Sequence, residues 1–307
     1  MTAMAQLEQE LKNILGAHRV LLQEPMANHT TFKIGGPAQI LVLPQTAEQI
    51  QQTYLACKAH GCTPRVIGLG SNILVSDTGL PGVVIKIGEG FDAIAIEGST
   101  LRAEAGASNA AVAAAAQQAG LAGYEFASGI PGTIGGAAVM NAGAYNGEFA
   151  QVCTSVTCLR PNGTIQTIPA TEAQWSYRHS LMMDDGSIVL SATLQLSPDD
   201  PAAIQERMDD LRQRREDKQP LEMPSAGSTF KRPEGYFAGK LIQDAGLRGY
   251  RVGGAQISEK HCGFVVNAGG ATAADVCQLI ADVQVKIFAM EGVRMEPEVR
   301  MWGFEDH

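Results

Sequence analysis

The chain has no Gly-Lys-Ser or Gly-Lys-Thr, and neither of its two glycine-rich segments supplies Gly-x-Gly-x-x-Gly between a strand and its helix. Both common glycine signatures of nucleotide binding are therefore missing. It also lacks Cys-x-x-Cys: Cys57, Cys62, Cys153, Cys158, Cys262 and Cys277 are scattered, which excludes a dense disulfide scaffold and reads as free, at least partly buried thiols. The histidines at 18, 29, 60, 179, 261 and 307 have no metal-ligand spacing, and no metal is assigned. Positive charge is in deficit. A formal net charge of −9 gives no general attraction to nucleic acid or anionic lipid. No apolar run reaches membrane-spanning length. The segment 1–15 sets glutamates among spaced leucines, an amphipathic helix pattern without the basic-then-apolar order of a secretion signal. A cytoplasmic protein with neither nucleic acid nor membrane as partner is expected, and no signal fixes its oligomeric state.

What is present is length, apolar content and clustered small residues. With 307 residues and 45% apolar content the chain can bury more than one core. Val66-Ile-Gly-Leu-Gly-Ser-Asn72 and the long run 127–148 place glycine, alanine, serine and threonine where a packed element would need bulk. Such runs bring backbone close to a partner that is not protein, and uncrowded amides donate to phosphates or ring carbonyls. A dinucleotide held along a seam is one reading; glycine-rich turns in a sheet protein are the other.

Periodicity and capping place the elements. Thr46 with Gln49 caps a helix ending near Gly61, followed by a strand at 65–69. Strands are expected at 83–87 and 101–105. Ser108 caps an alanine-rich helix through Gln118, which Gly120 stops. Segments 152–159, 164–168 and 188–196, with a Pro161-Asn-Gly163 turn, suit a mainly antiparallel sheet. Asp200 and Pro201 open a charged helix towards Lys218, placing a boundary near residue 200. Across 272–291, Val276, Leu279, Ile280, Val283 and Ile287 form a buried stripe. The tail alternates apolar and charged residues from Val293 to Trp302 and predicts an extended strand, with Pro297 demanding an edge or bulge. Glu296 and Glu298, two apart, then share a face.

Seven segments, in order, resemble one family: Asn28-His-Thr-Thr-Phe-Lys-Ile-Gly-Gly36, Gly68-Leu-Gly-Ser-Asn-Ile-Leu-Val75, Gly129-Ile-Pro-Gly-Thr-Ile-Gly-Gly136, Asn141-Ala-Gly-Ala-Tyr145, Tyr177-Arg-His-Ser180, Ala226-Gly-Ser-Thr-Phe-Lys231 and Glu296-Pro-Glu-Val-Arg300. Together they are similar to the UDP-N-acetylenolpyruvoylglucosamine reductases of bacterial peptidoglycan synthesis. The resemblance implies an α+β fold: a two-part FAD-binding fold of the vanillyl-alcohol-oxidase type, plus a third, small α/β domain for substrate. The corresponding spans are 1–80 and 81–200 for the two FAD-binding parts, 201–292 for the substrate domain, and 293–307 for a strand returning to the active-site cleft.

It further implies noncovalent FAD and NADPH as hydride donor, with NADPH and the UDP-sugar using one cleft in turn. Cofactor contacts carry over to Lys33, Gly68, Gly70, Ser71, Asn72, Ile130, Pro131, Gly132, Thr133, Gly135, Gly136, Asn141 and Gly143. Ser228 matches the proton donor, Arg178 the arginine facing the substrate carboxylate, and Glu296 the glutamate assisting the enol. Lys218, Lys231, Lys240, His261 and Asn267 match the substrate side. Two departures matter. Lys33 stands where many relatives have arginine, which weakens bidentate binding. The chain also runs from His179 through Gly186 to the strand at 188–196 without the inserted tyrosine loop of some members, so it resembles the shorter second class. A flavin-dependent alcohol or sugar-lactone oxidase, or a noncatalytic nucleotide-sugar module, would share the glycine loops but have no use for Arg178, Ser228 and Glu296 together.

Overall fold

The computed structural model describes residues 2–304. Met1 and the last three residues of the expected tail strand, 305–307, lie outside the described residues. Two compact units make up the chain: Met1–Leu21, Ile40–Leu69 and Gly82–Arg214 form one, and Leu22–Gln39, Gly70–Pro81 and Arg215–His307 the other. This division differs from the four consecutive spans expected. Segments 22–39 and 70–81 fold with the C-terminal part, and the later boundary falls inside the helix Pro201–Lys218 rather than before it.

In the first unit, helix Ala3–Leu15 starts at Thr2, whose hydroxyl accepts from Ala5 N, and buries Leu7, Leu11 and Leu15 at four-residue spacing. Helix Ala47–Ala59 starts at Thr46, whose hydroxyl accepts from Gln49 N at 3.1 Å; the Gln49 side chain returns to Gln45 N at 2.8 Å, one residue earlier than a standard capping box. The central sheet has five antiparallel strands in the order Ile165–Pro169, Cys153–Leu159, Ile188–Gln195, Thr100–Glu104, Ile94–Glu97. Helix Asn109–Gln118 is capped by Ser108 as expected and stopped by Gly120 at φ +67°. One buried core joins the first helix, this sheet and helix Ile134–Met140. Burial pushes the Cys57, Cys153 and Cys158 thiols up to about 12. All six cysteines are free, four of them buried.

The second unit is built on four antiparallel strands in the order Ser225–Ser228, Phe264–Asn267, Ala255–Ile257, Arg251–Val252, backed by helix Ala273–Glu291. All five residues of the expected stripe on that helix are buried. Its first N–H groups, which no helical carbonyl can reach, are all satisfied. Thr272 and Asp275 form a reciprocal capping box, and the Asp77 carboxylate accepts from Ala273 N at 2.8 Å and Ala274 N at 3.0 Å. Hydrogen bonds from Thr272 N and Gly254 N hold the Asp275 carboxyl below its usual value.

The tail corrects the sequence expectation. Among its described residues only Arg300–Trp302 is a strand, parallel to Ile73–Val75. Upstream, Pro297 has no N–H to give, and the chain makes an isolated bridge to Phe230, with Lys231 N donating to Glu296 O at 2.9 Å and Glu298 N to Thr229 O at 2.8 Å. The burial alternation survives in part: Met295 and Val299 are buried while Glu296 is exposed.

Candidate functional site

In the first unit, strand Arg65–Ile67 ends at Gly68, where an added Cβ would fall 2.3 Å from Thr133 Oγ1. Only glycine allows that approach. Thr133 caps helix Ile134–Met140, and the loop before it together with the first helical residues is laid along 105–109 by four bonds. Asn109 N donates to Gly132 O (3.0 Å), Asn109 Nδ2 to Ile130 O (3.3 Å), Ile134 N to Ala107 O (2.8 Å) and Gly135 N to Ala105 O (2.9 Å). The buried Tyr124 hydroxyl donates to Asn109 Oδ1 at 2.9 Å, which fixes the amide so that its NH2 faces Ile130 O. A trans peptide points N–H opposite to C=O. Anchoring Gly132 O on Asn109 therefore turns Thr133 N–H the other way.

The amides of Gly132 and Thr133 have no hydrogen-bond partner among the described residues. The segment 127–137 carries no acidic side chain. Donors without neighbouring negative charge suit phosphate or flavin carbonyl oxygens, so the loop that includes Ile130, Pro131, Gly135 and Gly136 fits a flavin dinucleotide.

Arg178 sits at the tip of a tight turn closed by Ser176 N to His179 O and His179 N to Ser176 O, both 3.2 Å, with a left-handed φ of +56°. Its guanidinium donates to Gly143 O at 3.1 Å and lies 5.0 Å over the Tyr177 ring. The turn is fastened to the C-terminal end of helix Ile134–Met140, whose last carbonyls need outside donors. Trp175 Nε1 reaches Ala138 O at 2.9 Å and Ser180 Oγ reaches Val139 O at 2.7 Å. Asn141, expected to touch cofactor, is buried in the left-handed conformation. Its Nδ2 donates to Ser176 O at 3.1 Å and its Oδ1 accepts from Ala150 N at 2.9 Å.

In the second unit, Ser225 pairs with Val266 and Ser228 with Phe264, so three steps on one strand span two on the other. That bulge is made at Gly227, φ +75°, a conformation that favours glycine. It leaves Ser228 exposed while Thr229, buried next to it, accepts from Val265 N at 3.0 Å. Lys231 and Glu296 meet twice, through backbone and through an Nζ to Oε2 contact of 3.2 Å. With side chains 46% and 71% exposed, that ion pair contributes about 0–1 kcal/mol and leaves both groups accessible. Glu298 is half-buried and Glu296 exposed, so the two carboxylates of the tail differ in surroundings. Asn72 Nδ2 donates to Glu298 O at 3.3 Å and Arg300 N to Asn72 O at 3.0 Å, tying the Gly70, Ser71, Asn72 loop to the tail.

The remaining expected residues are dispersed. Lys33 is exposed at φ +56°, and Lys218 is exposed at the end of its helix. Lys240 pairs with Asp244 at 2.7 Å. His261 is half-buried, its Nδ1 accepts from Gly263 N at 3.1 Å, and burial lowers its pKa, which favours the neutral ring. Asn267 is committed to backbone: Nδ2 to Phe32 O, and Oδ1 from Gly269 N and Ala271 N. Sequence reasoning missed Asn109, Tyr124 and Thr31. Thr31 donates through Oγ1 to Ser225 O at 2.7 Å and through N to Gly70 O at 3.2 Å, tying the Ser228 strand to the Gly70 loop. Its signal lay in the quoted 28–36 motif. Asn109 had one too, an amide following a serine that already caps the helix. Among the described residues no cluster of His, Cys, Asp or Glu is placed to hold a metal, and no helix is long and apolar enough to cross a membrane.

Comparison with known proteins agrees with the loop geometry. Residues 38–169 match the family model described as an FAD binding domain, and 219–302 match the model described as UDP-N-acetylenolpyruvoylglucosamine reductase, C-terminal domain. The chain is 52% identical to the UDP-N-acetylenolpyruvoylglucosamine reductase of Agathobacter rectalis, covering 92% of this chain and 94% of that one. It is 48% identical to that of Lachnoclostridium phytofermentans, covering 96% of each. Among solved structures, the UDP-N-acetylenolpyruvylglucosamine reductase from Thermus caldophilus superposes with a TM-score of 0.80 at 35% identity, covering 92% of this chain and 98% of that chain.

Proposed function

The chain belongs to the UDP-N-acetylenolpyruvoylglucosamine reductase family, and from that premise we propose that it reduces the enolpyruvyl ether of UDP-N-acetylenolpyruvoylglucosamine to the lactyl ether of UDP-N-acetylmuramate. It is an FAD-dependent oxidoreductase. In this reading it works in the cytoplasm on peptidoglycan precursors, and NADPH and the UDP-sugar bind in turn. Noncovalently bound FAD supplies the two-electron carriage between nicotinamide and substrate. The backbone amides of Gly132 and Thr133 in the first unit, which no described residue engages, are the groups that would hold it.

The protein's own residues handle charge and the proton. Arg178 suits the substrate carboxylate because its planar donor fork meets two oxygens and stays charged throughout the working pH range. As a hydride equivalent adds to the methylene carbon, negative charge develops toward that carboxylate, where the guanidinium stabilises it and Glu296 assists the enol. Ser228 delivers a proton to the adjacent carbon. A serine hydroxyl is a poor acid in water, so this step depends on neighbouring cationic charge and exclusion of solvent. Lys231 is the nearest such charge on Ser228's own segment, and Lys218 is the lysine proposed to meet phosphate.

The observation that carries this reading is the bulge at Gly227, which sets Ser228 exposed at a strand end in the unit that also holds Lys231 and Glu296. The test is product analysis. FAD-loaded protein given NADPH and UDP-N-acetylenolpyruvoylglucosamine should yield a product heavier by two hydrogens, with one NADPH consumed per product. Flavin reduction by an alcohol or sugar lactone, and none by NADPH, would replace this assignment with the oxidase.

A further inference from the structure

Asn141 lies in a glycine-rich motif and looks like a cofactor contact, yet its side chain is spent inside the protein. It is 1% exposed. One end, Nδ2, holds Ser176 O, the residue that opens the Arg178 turn; the other, Oδ1, holds Ala150 N, just beyond the short hairpin of Gly143–Ala144 with Gly147–Glu148. That hairpin carries the carbonyl of Gly143, on which the Arg178 guanidinium rests. A single amide thus links the segment that carries the arginine to the segment that receives it. We propose that Asn141 is a positioning residue for Arg178, setting where the guanidinium meets the substrate carboxylate. This rests on the reading of Arg178 as the carboxylate residue.

The chemistry of the side chain supports the assignment. The site needs a donor facing a carbonyl and an acceptor facing an amide within one short planar group, which asparagine supplies and aspartate cannot, since both its oxygens accept. Asparagine also tolerates the left-handed backbone found here, φ +42°. Arg178 itself holds φ +56° without being glycine, a conformation that persists only where surroundings over-determine it. The Ser176 bond is one of those surroundings, with Trp175 and Ser180 pinning the flanks.

The two half-reactions separate the roles. In anaerobic stopped-flow on FAD-loaded protein, Asn141→Asp and Asn141→Gly should slow the return of flavin absorbance on adding UDP-N-acetylenolpyruvoylglucosamine by about tenfold to a hundredfold, the scale of a misplaced binding group. NADPH-driven bleaching and FAD content should be unchanged. Asn141→Gly keeps the left-handed backbone available and is read if the aspartate variant does not fold. Combining either change with Arg178→Lys should cost little beyond Arg178→Lys alone, because the two act as one unit. Equal slowing of both half-reactions, loss of FAD, or full additivity with Arg178→Lys overturns the proposal. If Arg178→Lys leaves the substrate half-reaction untouched, the carboxylate reading of Arg178 fails first. If Arg178→Lys slows it and the Asn141 variants do not, only the positioning role fails.

Discussion

The surroundings of Arg178 and those of Ser228 and Glu296 are built on opposite plans. Arg178 rides on a turn fastened by side chains to backbone: Trp175 and Ser180 satisfy carbonyls at the end of helix Ile134–Met140, and Asn141, just beyond that end, donates to Ser176 O in the turn itself. Ser228 and Glu296 are exposed, and the strand end and tail that carry them are joined by main-chain bonds from Lys231 N to Glu296 O and from Glu298 N to Thr229 O. A permanent cation that must meet a planar carboxylate gains from a fixed orientation. Ser228 and Glu296 owe their placing to a bulge and a proline, and their exposed side chains contribute little to the fold. Substitutions in the first region should disturb structure together with activity, and in the second activity alone.

The sharpest way to break this contrast is Ser228→Ala. Turnover should fall by about 10²–10⁴-fold, the usual worth of a positioned general acid, with NADPH-driven flavin reduction and the melting temperature unchanged. Loss of bound FAD on that substitution would give Ser228 a structural place and erase the distinction. Next is Tyr124→Phe, which removes the donor to Asn109 Oδ1 beneath the Ile130 loop. Leaving that buried acceptor unpaired should cost about 1–3 kcal/mol in urea unfolding and weaken FAD binding on titration of the apoprotein. An unchanged FAD affinity would mean that the loop keeps its shape without Asn109. The smallest effect belongs to Lys231→Met. Its pair with Glu296 is exposed, so stability should move by no more than about 1 kcal/mol; a larger loss in thermal unfolding would show that the second region is also held by side chains.

The helices were legible because their caps and stripes are local chemistry: Ser108 and Gly120 bracket one, and Thr272, Asp275 and the 276–287 stripe define another. The glycine loops were legible as places of close approach, but at Gly68 the neighbour that a Cβ would meet is the protein's own Thr133. The division into units was not, since 22–39 and 70–81 join a unit whose bulk lies far along the chain. Nothing in local periodicity encodes such partnership. The tail misled for a related reason: alternation tracked burial at Met295 and Val299, but a buried face does not supply a partner strand, and Pro297 makes an isolated bridge to Phe230 through the backbone groups of its neighbours. Asn141 was missed as a structural group because an amide that bridges two remote backbone groups looks, in sequence, like any ligand-facing asparagine, and the partners of Asn109, the Tyr124 hydroxyl and Ile130 O, are equally unwritten in local pattern.

The most direct test of the account is anaerobic stopped-flow spectroscopy of the wild-type yellow protein, mixed first with NADPH and then with UDP-N-acetylenolpyruvoylglucosamine. The account predicts bleaching by NADPH and rapid return of the oxidised spectrum only when that substrate is added. Bleaching that no such substrate reverses, or no bleaching by NADPH at all, would contradict it.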